Sequence, residues 1–315
     1  MLGPMDAGSP KLEDQQLRPH WRSLRRLILG MSILYGLFCL VGSELLLTPP
    51  PRVPTVGGSG DRRSPDRVGS AEFHVDEVHL PEGLRLPLWW ASPSAEPAGC
   101  VMLFHGRGGV YAEDRMRFVL ASGRAVVALD FRAHGQAPGD SSGFGYTEQE
   151  EVRATLAWTR QRWPRTRIVA WGRSMGAAAI LFAADRTREL AGVILESPYS
   201  SLERALRNRF EMHFPSWLYP LCQGPVLLGE IRSGLWLDRI QPVRQISRFR
   251  ADRVLLVQGA LDQRVQQDEY EGFLAALPGL PGVVLKGLGH ADFFRSGGDS
   301  YRARILGRLS EWLTP

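Results

Sequence analysis

Residues 167–179 read Arg167-Ile168-Val169-Ala170-Trp171-Gly172-Arg173-Ser174-Met175-Gly176-Ala177-Ala178-Ala179. After Arg167 the run is β-branched, apolar and aromatic, as a buried strand requires, and it closes on three of the strongest helix formers. Between strand and helix stands Gly172-Arg173-Ser174-Met175-Gly176. A strand-to-helix turn this sharp needs glycine where any Cβ would collide, and it holds the Ser174 hydroxyl clear of the sheet. Alone, the five-residue pattern is weak, since a chain of ordinary composition produces one by chance about 0.1–0.3 times. Its weight comes from its place at a strand end.

Outward from this turn the chain alternates short β-rich runs with helical ones. The predicted strands are Phe73–Leu80, Leu84–Ala91, Val101–His105, Ala125–Asp130, Ile168–Trp171, Gly192–Glu196, Val254–Gln258 and Val283–Lys286. A Pro-Glu-Gly turn joins the first two as an antiparallel hairpin. The predicted helices are Ala112–Ser122, Thr147–Arg162, Met175–Asp185, Gln266–Ala276 and Tyr301–Leu313. Strand, helix, strand at this spacing demands crossovers. The expected fold class is therefore α/β, with a mostly parallel eight-stranded sheet covered by helices on both faces. Residues 199–246 break the alternation and carry large apolar side chains such as Phe210, Trp217, Leu227 and Trp236, which predicts a small helical lid insertion.

The front of the chain is organised differently. Leu27 to Ser43 is 17 residues without a charge, extended past Glu44 by three leucines. It is apolar nearly all round, so 27–47 reads as a transmembrane anchor. Lys11, Arg18, Arg22, Arg25 and Arg26 precede it, whereas Arg52, Arg62 and Arg63 follow. This bias predicts a single-pass protein with a cytoplasmic N-terminus and the remainder extracytoplasmic. A cleaved signal peptide and secretion is the competing reading, with Val41 and Ser43 at small-residue positions. Residues 1–26 form a basic tail, 48–70 a Pro/Gly/Ser-rich linker, and 71–315 one large domain.

A serine hydroxyl is a poor nucleophile at neutral pH unless an imidazole takes its proton and a carboxylate orients that imidazole. Downstream, the apolar run Leu255–Gly259 leads to Asp262, and Gly287-Leu288-Gly289-His290 follows the next run. Strand ends of a parallel sheet share one edge, so Ser174, Asp262 and His290 are expected to converge there. Acyl transfer also needs two N–H donors for an oxyanion. These are expected from the backbones of Met175, after the nucleophile, and of Arg107, in the glycine-rich loop His105-Gly106-Arg107-Gly108-Gly109.

Four motifs in order carry a family resemblance: HGRGG at 105–109, LDFRAHGQAPG at 129–139 with FGYTEQEEV after it, GRSMG at 172–176, and GALDQRV at 259–265 before GLGH. Residues 72–314 resemble the α/β-hydrolase superfamily, in the branch that includes lysophospholipase-like, monoglyceride-lipase-like and prolyl-oligopeptidase-like enzymes. The resemblance implies a serine hydrolase cleaving carboxylic esters through an acyl-enzyme, with no cofactor. A peptidase or amidase, or a catalytically silent binding protein on the same fold, are the alternatives. Two departures stand out. Ala133 sits where the family segment reads Arg-Gly-His-Gly, and Gln266 replaces a usual proline.

Other candidates take supporting parts. The resemblance implies that Asp130 braces its loop and that Glu196 is an understudy for the acid, and His105 and His134 are read as hydrogen-bonded structural residues. Arg107, Arg132, Arg173 and Arg264 lie within two residues of site positions and are expected in ion pairs. Arg173 is the candidate for binding an anionic substrate group. No His/Cys/Asp group has metal spacing, so no metal is expected. The totals agree with a globular enzyme rather than a nucleic-acid binder: 44% hydrophobic residues, and 38 Lys plus Arg against 33 Asp plus Glu without a basic stripe. The partners expected are a small-molecule or lipid ester and the membrane. Cys39, Cys100 and Cys222 read as plain thiols, with a Cys100–Cys222 bridge left open.

Overall fold

The structure, a computed structural model, describes residues 13–49, 67–68, 71–109 and 113–314. Residues 1–12, most of the expected linker, the first residue of the helix expected from Ala112, and Pro315 lie outside the described residues. One piece of the linker region is paired, Arg67–Val68 lying antiparallel to Ala71–Glu72.

Eight strands form the central sheet: β1 His74–His79, β2 Arg85–Ala91, β3 Cys100–Phe104, β4 Ala125–Leu129, β5 Ile168–Arg173, β6 Gly192–Glu196, β7 Val254–Gly259 and β8 Gly282–Leu285. Their order is β1-β2-β4-β3-β5-β6-β7-β8. β1–β2 and β2–β4 run antiparallel, and the remaining pairings are parallel. Every residue of β3, β4, β6 and β7 is buried, which is why these segments read as continuous apolar runs rather than as alternation.

Side chains still divide by the strand period of two. Met102 and Phe104 of β3 join a core layer with Val152 and Leu156 of α3 (Gln149–Arg162), Ile180 of α4 (Met175–Phe182) and Phe273 of α8 (Gln267–Ala276). Val101 and Leu103 face the other way, toward Met116 and Val119 of α2 (Glu113–Ala121) and Ile305 and Leu309 of α10 (Gly298–Leu313). The helix expected over Met175–Asp185 breaks at Ala183, and a short α5 follows at Ala184–Thr187. Gln266, where the family has proline, begins α8 instead through a reciprocal capping box with Glu269.

Between β6 and β7 the chain makes a helical excursion. It contains α6 (Leu202–Glu211), whose N-cap Ser201 accepts from the Arg204 N–H, then a 3₁₀ segment Ser216–Cys222 and α7 (Gln223–Ser233). Gly234, at φ 69°, supplies the left-handed residue that stops α7. A short α9 (Phe293–Ser296) precedes α10.

The N-terminal helix α1 spans Glu13–Leu47, longer than the 27–47 read from hydropathy. Within its 25-residue stretch Ser23–Leu47 an 18-residue run reaches a mean hydropathy of 1.8, and the stretch is largely exposed, long and apolar enough to cross a membrane. α7 packs along it. All three cysteines are free. Cys100 is enclosed within β3 and Cys222 lies in the excursion beside α1, so the bridge left open by the sequence does not form.

The loop after β4 carries a local conflict. Ala133 stands at φ 58°, with its N–H donating to the Pro138 carbonyl at 2.9 Å. The left-handed region costs a non-glycine residue roughly 1–2 kcal/mol, against about 0.5–1 kcal/mol for the extra backbone freedom of glycine. Ala133→Gly is accordingly expected to stabilise the fold by about 0.5–1 kcal/mol, read as a higher denaturant midpoint at unchanged slope. A lower midpoint would contradict the assignment of strain to this position.

Candidate active site

The parallel strands end along one edge, and there the turn after β5 takes the shape the sequence demanded. Ser174 is held at φ 51°, ψ −113°, a conformation rarely tolerated by a side-chain-bearing residue. Its neighbours account for the tolerance. A Cβ on Gly172 would lie 2.6 Å from the backbone of Gly176 and Ala177, and one on Gly176 would run into the Phe104 and His105 carbonyl oxygens. The Ser174 N–H donates to the Glu196 carbonyl at 2.7 Å, tying the turn to β6.

His290, from the loop after β8, brings Nε2 to 3.2 Å from the Ser174 hydroxyl and Nδ1 to 2.8 Å from Asp262 Oδ2. Asp262 is buried and fully engaged. Its Oδ1 accepts the Arg264 and Val265 N–H groups at 2.9 and 3.0 Å, and Oδ2 also accepts the Ser197 hydroxyl at 3.0 Å. Burial alone would raise its pKa, but the hydrogen bond and charge of His290, with the Val265 N–H and the Ser197 hydroxyl, outweigh that and hold the carboxyl below its usual range. The three residues named from sequence thus form one hydrogen-bonded chain. Ser197 was not legible beforehand; it sits at φ 43° just past β6, on a second strand-end turn.

Glu196 is excluded from this chain by direction. It points to the opposite face of the sheet, where its carboxylate accepts from Arg115 (3.0 Å), Trp171 (2.8 Å) and Tyr301 (2.6 Å). Arg115 also bonds Asp292 at 2.6 Å, and Arg173 reaches the other Asp292 oxygen at 3.7 Å. Arg173 is 30% exposed and its guanidinium lies against the loop at Gly106. Arg132 is committed to Glu151 and Glu82.

Met175 opens α4, where an N–H has no partner within its own helix. Arg107 lies in the loop after β3. Its side chain does something the sequence did not announce: the guanidinium donates to the Leu46 and Thr48 carbonyls at 2.7 Å each, gripping the C-terminal end of α1, and stacks 4.7 Å above Phe144. The Ser142 N–H takes the intervening Leu47 carbonyl at 3.1 Å. Beneath this junction Glu148 accepts from the Ser142 hydroxyl and the Gly143 and Gly145 N–H groups, which gives the FGYTEQEEV motif its purpose. A small apolar cavity of about 30 Å³ adjoins the junction, lined by Leu46, Leu47, Phe144, Leu202, Leu206 and Leu237 among others.

His105 and His134 brace the loops. His105 Nδ1 lies 2.8 Å from the Gly106 carbonyl, and Nε2 accepts the Phe131 N–H at 3.0 Å. Burial, then the proximity of His134, pushes its pKa from 6.5 down to about 3. Asp130 accepts the Gln136 N–H, bracing its own loop as expected.

Residues 95–225 match the family model for serine aminopeptidase, S33. An uncharacterized protein of Mycobacterium tuberculosis, Rv2307c, is 29% identical over 224 residues, covering 68% of this chain and 71% of that protein. Among solved structures, the Pyrococcus furiosus esterase Pf2001 superposes with a TM-score of 0.67 at 22% identity, over 85% of this chain and 98% of the esterase. The Pyrococcus horikoshii acylaminoacyl peptidase gives 0.59 at 15% identity, over 79% of this chain and 42% of the peptidase.

The His105 geometry makes a pH prediction. A base whose pKa is lower in the folded state stabilises the fold above its unfolded value, and that stability is lost as pH falls from about 6.5 toward 3. The thermal midpoint of the wild type is expected to fall more steeply between pH 6.5 and 4.5 than that of His105→Gln, whose amide can still accept from Phe131. Parallel pH profiles would contradict a neutral, buried His105. The architecture built from these strands and loops is the α/β-hydrolase fold.

Proposed function

We propose that this protein is a membrane-tethered serine hydrolase that cleaves carboxylic esters through an acyl-enzyme. The observation that carries the reading is the unbroken chain from the Ser174 hydroxyl through His290 to Asp262, at 3.2 and 2.8 Å. In this reading His290 takes the Ser174 proton as the oxygen attacks the ester carbonyl carbon, and the carbonyl oxygen gains negative charge. The Met175 and Arg107 backbone N–H groups stabilise that oxyanion. Collapse expels the alcohol, which receives the proton from His290. Water, deprotonated by the same imidazole, then releases the acid and restores Ser174. Asp262 keeps the Nδ1 proton in place and stabilises the imidazolium.

An ester with an apolar acyl part suits the mostly leucine surface beside Phe144 and the end of α1. The esterase likeness agrees with it. The serine aminopeptidase match and the acylaminoacyl peptidase likeness favour a second reading, an amidase or peptidase using the same three residues. A panel of chromogenic esters graded in chain length, run beside aminoacyl amides, separates the two. The tether is α1, whose exposed apolar length suits a span with the domain on the extracytoplasmic side.

Covalent labelling by a fluorophosphonate is expected for the wild type and is expected to vanish in Ser174→Ala, with ester turnover lowered about 10³-fold or more. Labelling that survives this substitution would refute Ser174 as nucleophile. Arg173, partly exposed beside the Gly106 loop, suits a carboxylate or phosphate on the substrate. Arg173→Ala is therefore expected to reduce kcat/KM for an anionic ester about tenfold more than for its neutral analogue, a difference of about 1.4 kcal/mol. An equal loss on both would remove Arg173 from substrate binding.

A further inference from the structure

The excursion between β6 and β7 meets α1 at a depth that bears on where it resides. α7 lies alongside α1 in parallel sense, from Gly224 against Tyr35 and Cys39, past Pro225 against Gly42, to Arg232, which bonds Ser43 at 2.8 Å and Glu44 at 2.6 Å. On α1 the charges that bracket the apolar run are Arg26 and Glu44, 18 residues and so about 27 Å apart along a helix, close to the thickness of a bilayer hydrocarbon core. Tyr35 is the midpoint of that interval.

The Tyr35 hydroxyl donates to the Leu221 carbonyl at 3.2 Å. The bond therefore fixes the 3₁₀ segment Ser216–Cys222 at the level of the middle of the α1 span, about 13 Å below Glu44. Three features of the excursion fit that depth. Residues 212–229 contain no Asp, Glu, Lys or Arg, although the flanking Glu211 and Glu230 are charged. Trp217 is 75% exposed and Leu221 52%, turned outward beside the equally exposed apolar surface of α1. The contact between the two elements is made close by small residues: a Cβ on Gly42 would lie 2.8 Å from Pro225, and one on Gly224 would strike the Tyr35 hydroxyl. Close approach of this kind is how helices associate within lipid. Pro225, one turn on, has no N–H to offer the Leu221 carbonyl, and at that depth a donor must come from protein, which Tyr35 supplies.

We propose that residues 214–229 are a second membrane-inserted element, packed against α1 and immersed in the hydrocarbon of the leaflet on the domain side, with Glu230 and the Arg232–Glu44 pair at the lipid–water boundary. The partner for this surface is the bilayer itself. The inference rests on the membrane-anchor reading of α1. It changes the excursion from a water-facing cover into a part of the enzyme that stands in the phase from which an apolar ester would arrive. The cavity lined by Leu46, Leu47, Leu206 and Leu237 lies between the same two elements.

Depth-dependent quenching tests this on the full-length protein in phosphatidylcholine vesicles. In a Cys39→Ser, Cys222→Ser background, a fluorophore is placed at Leu221→Cys or, as reference, at Leu34→Cys on α1; Cys100 is enclosed in the sheet. Spin labels carried on the lipid acyl chain are expected to quench both positions to within about twofold, and more strongly than headgroup spin labels. Quenching at Leu34→Cys with none at Leu221→Cys would overturn the inserted excursion while leaving the anchor intact. Quenching at neither would overturn both. Hydrolysis of a water-soluble ester, measured on the same samples, reports separately on the catalytic reading.

Discussion

The backbone at Ser174 is the constraint on which the functional edge depends. A residue with a side chain is forced to φ 51° because strand β5 must become helix α4 within a few residues while packed against the Phe104 and His105 carbonyls. A position of this kind costs on the order of 1–3 kcal/mol and survives only where its surroundings over-determine it. Here they do so from three sides. Gly172 and Gly176 remove the colliding Cβ atoms, the Ser174 N–H is fixed to β6, and α4 begins at once, so that the Met175 N–H points out of the helix start. The strain is what lifts the hydroxyl toward His290 instead of into the sheet.

A second dependence links the two ends of the molecule's organisation. Arg107 belongs to the loop that frames the site, yet its guanidinium holds the last carbonyls of α1, and Ser142 takes the carbonyl between them. A cation at a helix C-terminus is favourable, and burial against Phe144 makes the arrangement specific. The N-terminal helix is thereby tied to the loop that frames the site. Arg232 repeats the tie from the excursion, through Ser43 and Glu44. The N-terminal helix, excursion and framing loop meet within a few residues of the end of α1.

Much of this was legible because buried parallel strands write themselves plainly. β3, β4, β6 and β7 are enclosed on both faces, so their apolar runs stand out, and the carboxyl ends of such strands must share an edge. That alone brought Ser174, Asp262 and His290 together from positions far apart in sequence. What the sequence did not reveal depends on direction rather than pattern. Glu196 ends β6 and is taken up by Arg115 and Tyr301, whereas Asp262 stands three residues beyond the end of β7, in a turn that brings it to His290; the letters alone do not distinguish the two placements. The role of Ser197 needs a positive φ that no neighbouring glycine signals. The grip of Arg107 on α1 joins residues about sixty positions apart through backbone carbonyls, which carry no residue code at all. The family departure at Ala133 was visible as a letter, but its cost became readable only with its φ angle.

The central claim is that Ser174 becomes acylated. The direct measurement is peptide mapping by mass spectrometry after a brief reaction with a chromogenic ester, quenched in acid and compared with protein that has seen no ester. The account predicts an increment equal to the acyl group on the peptide carrying Ser174, absent after base treatment. An acyl group found on another residue, with Ser174 unmodified while ester is being consumed, would contradict it.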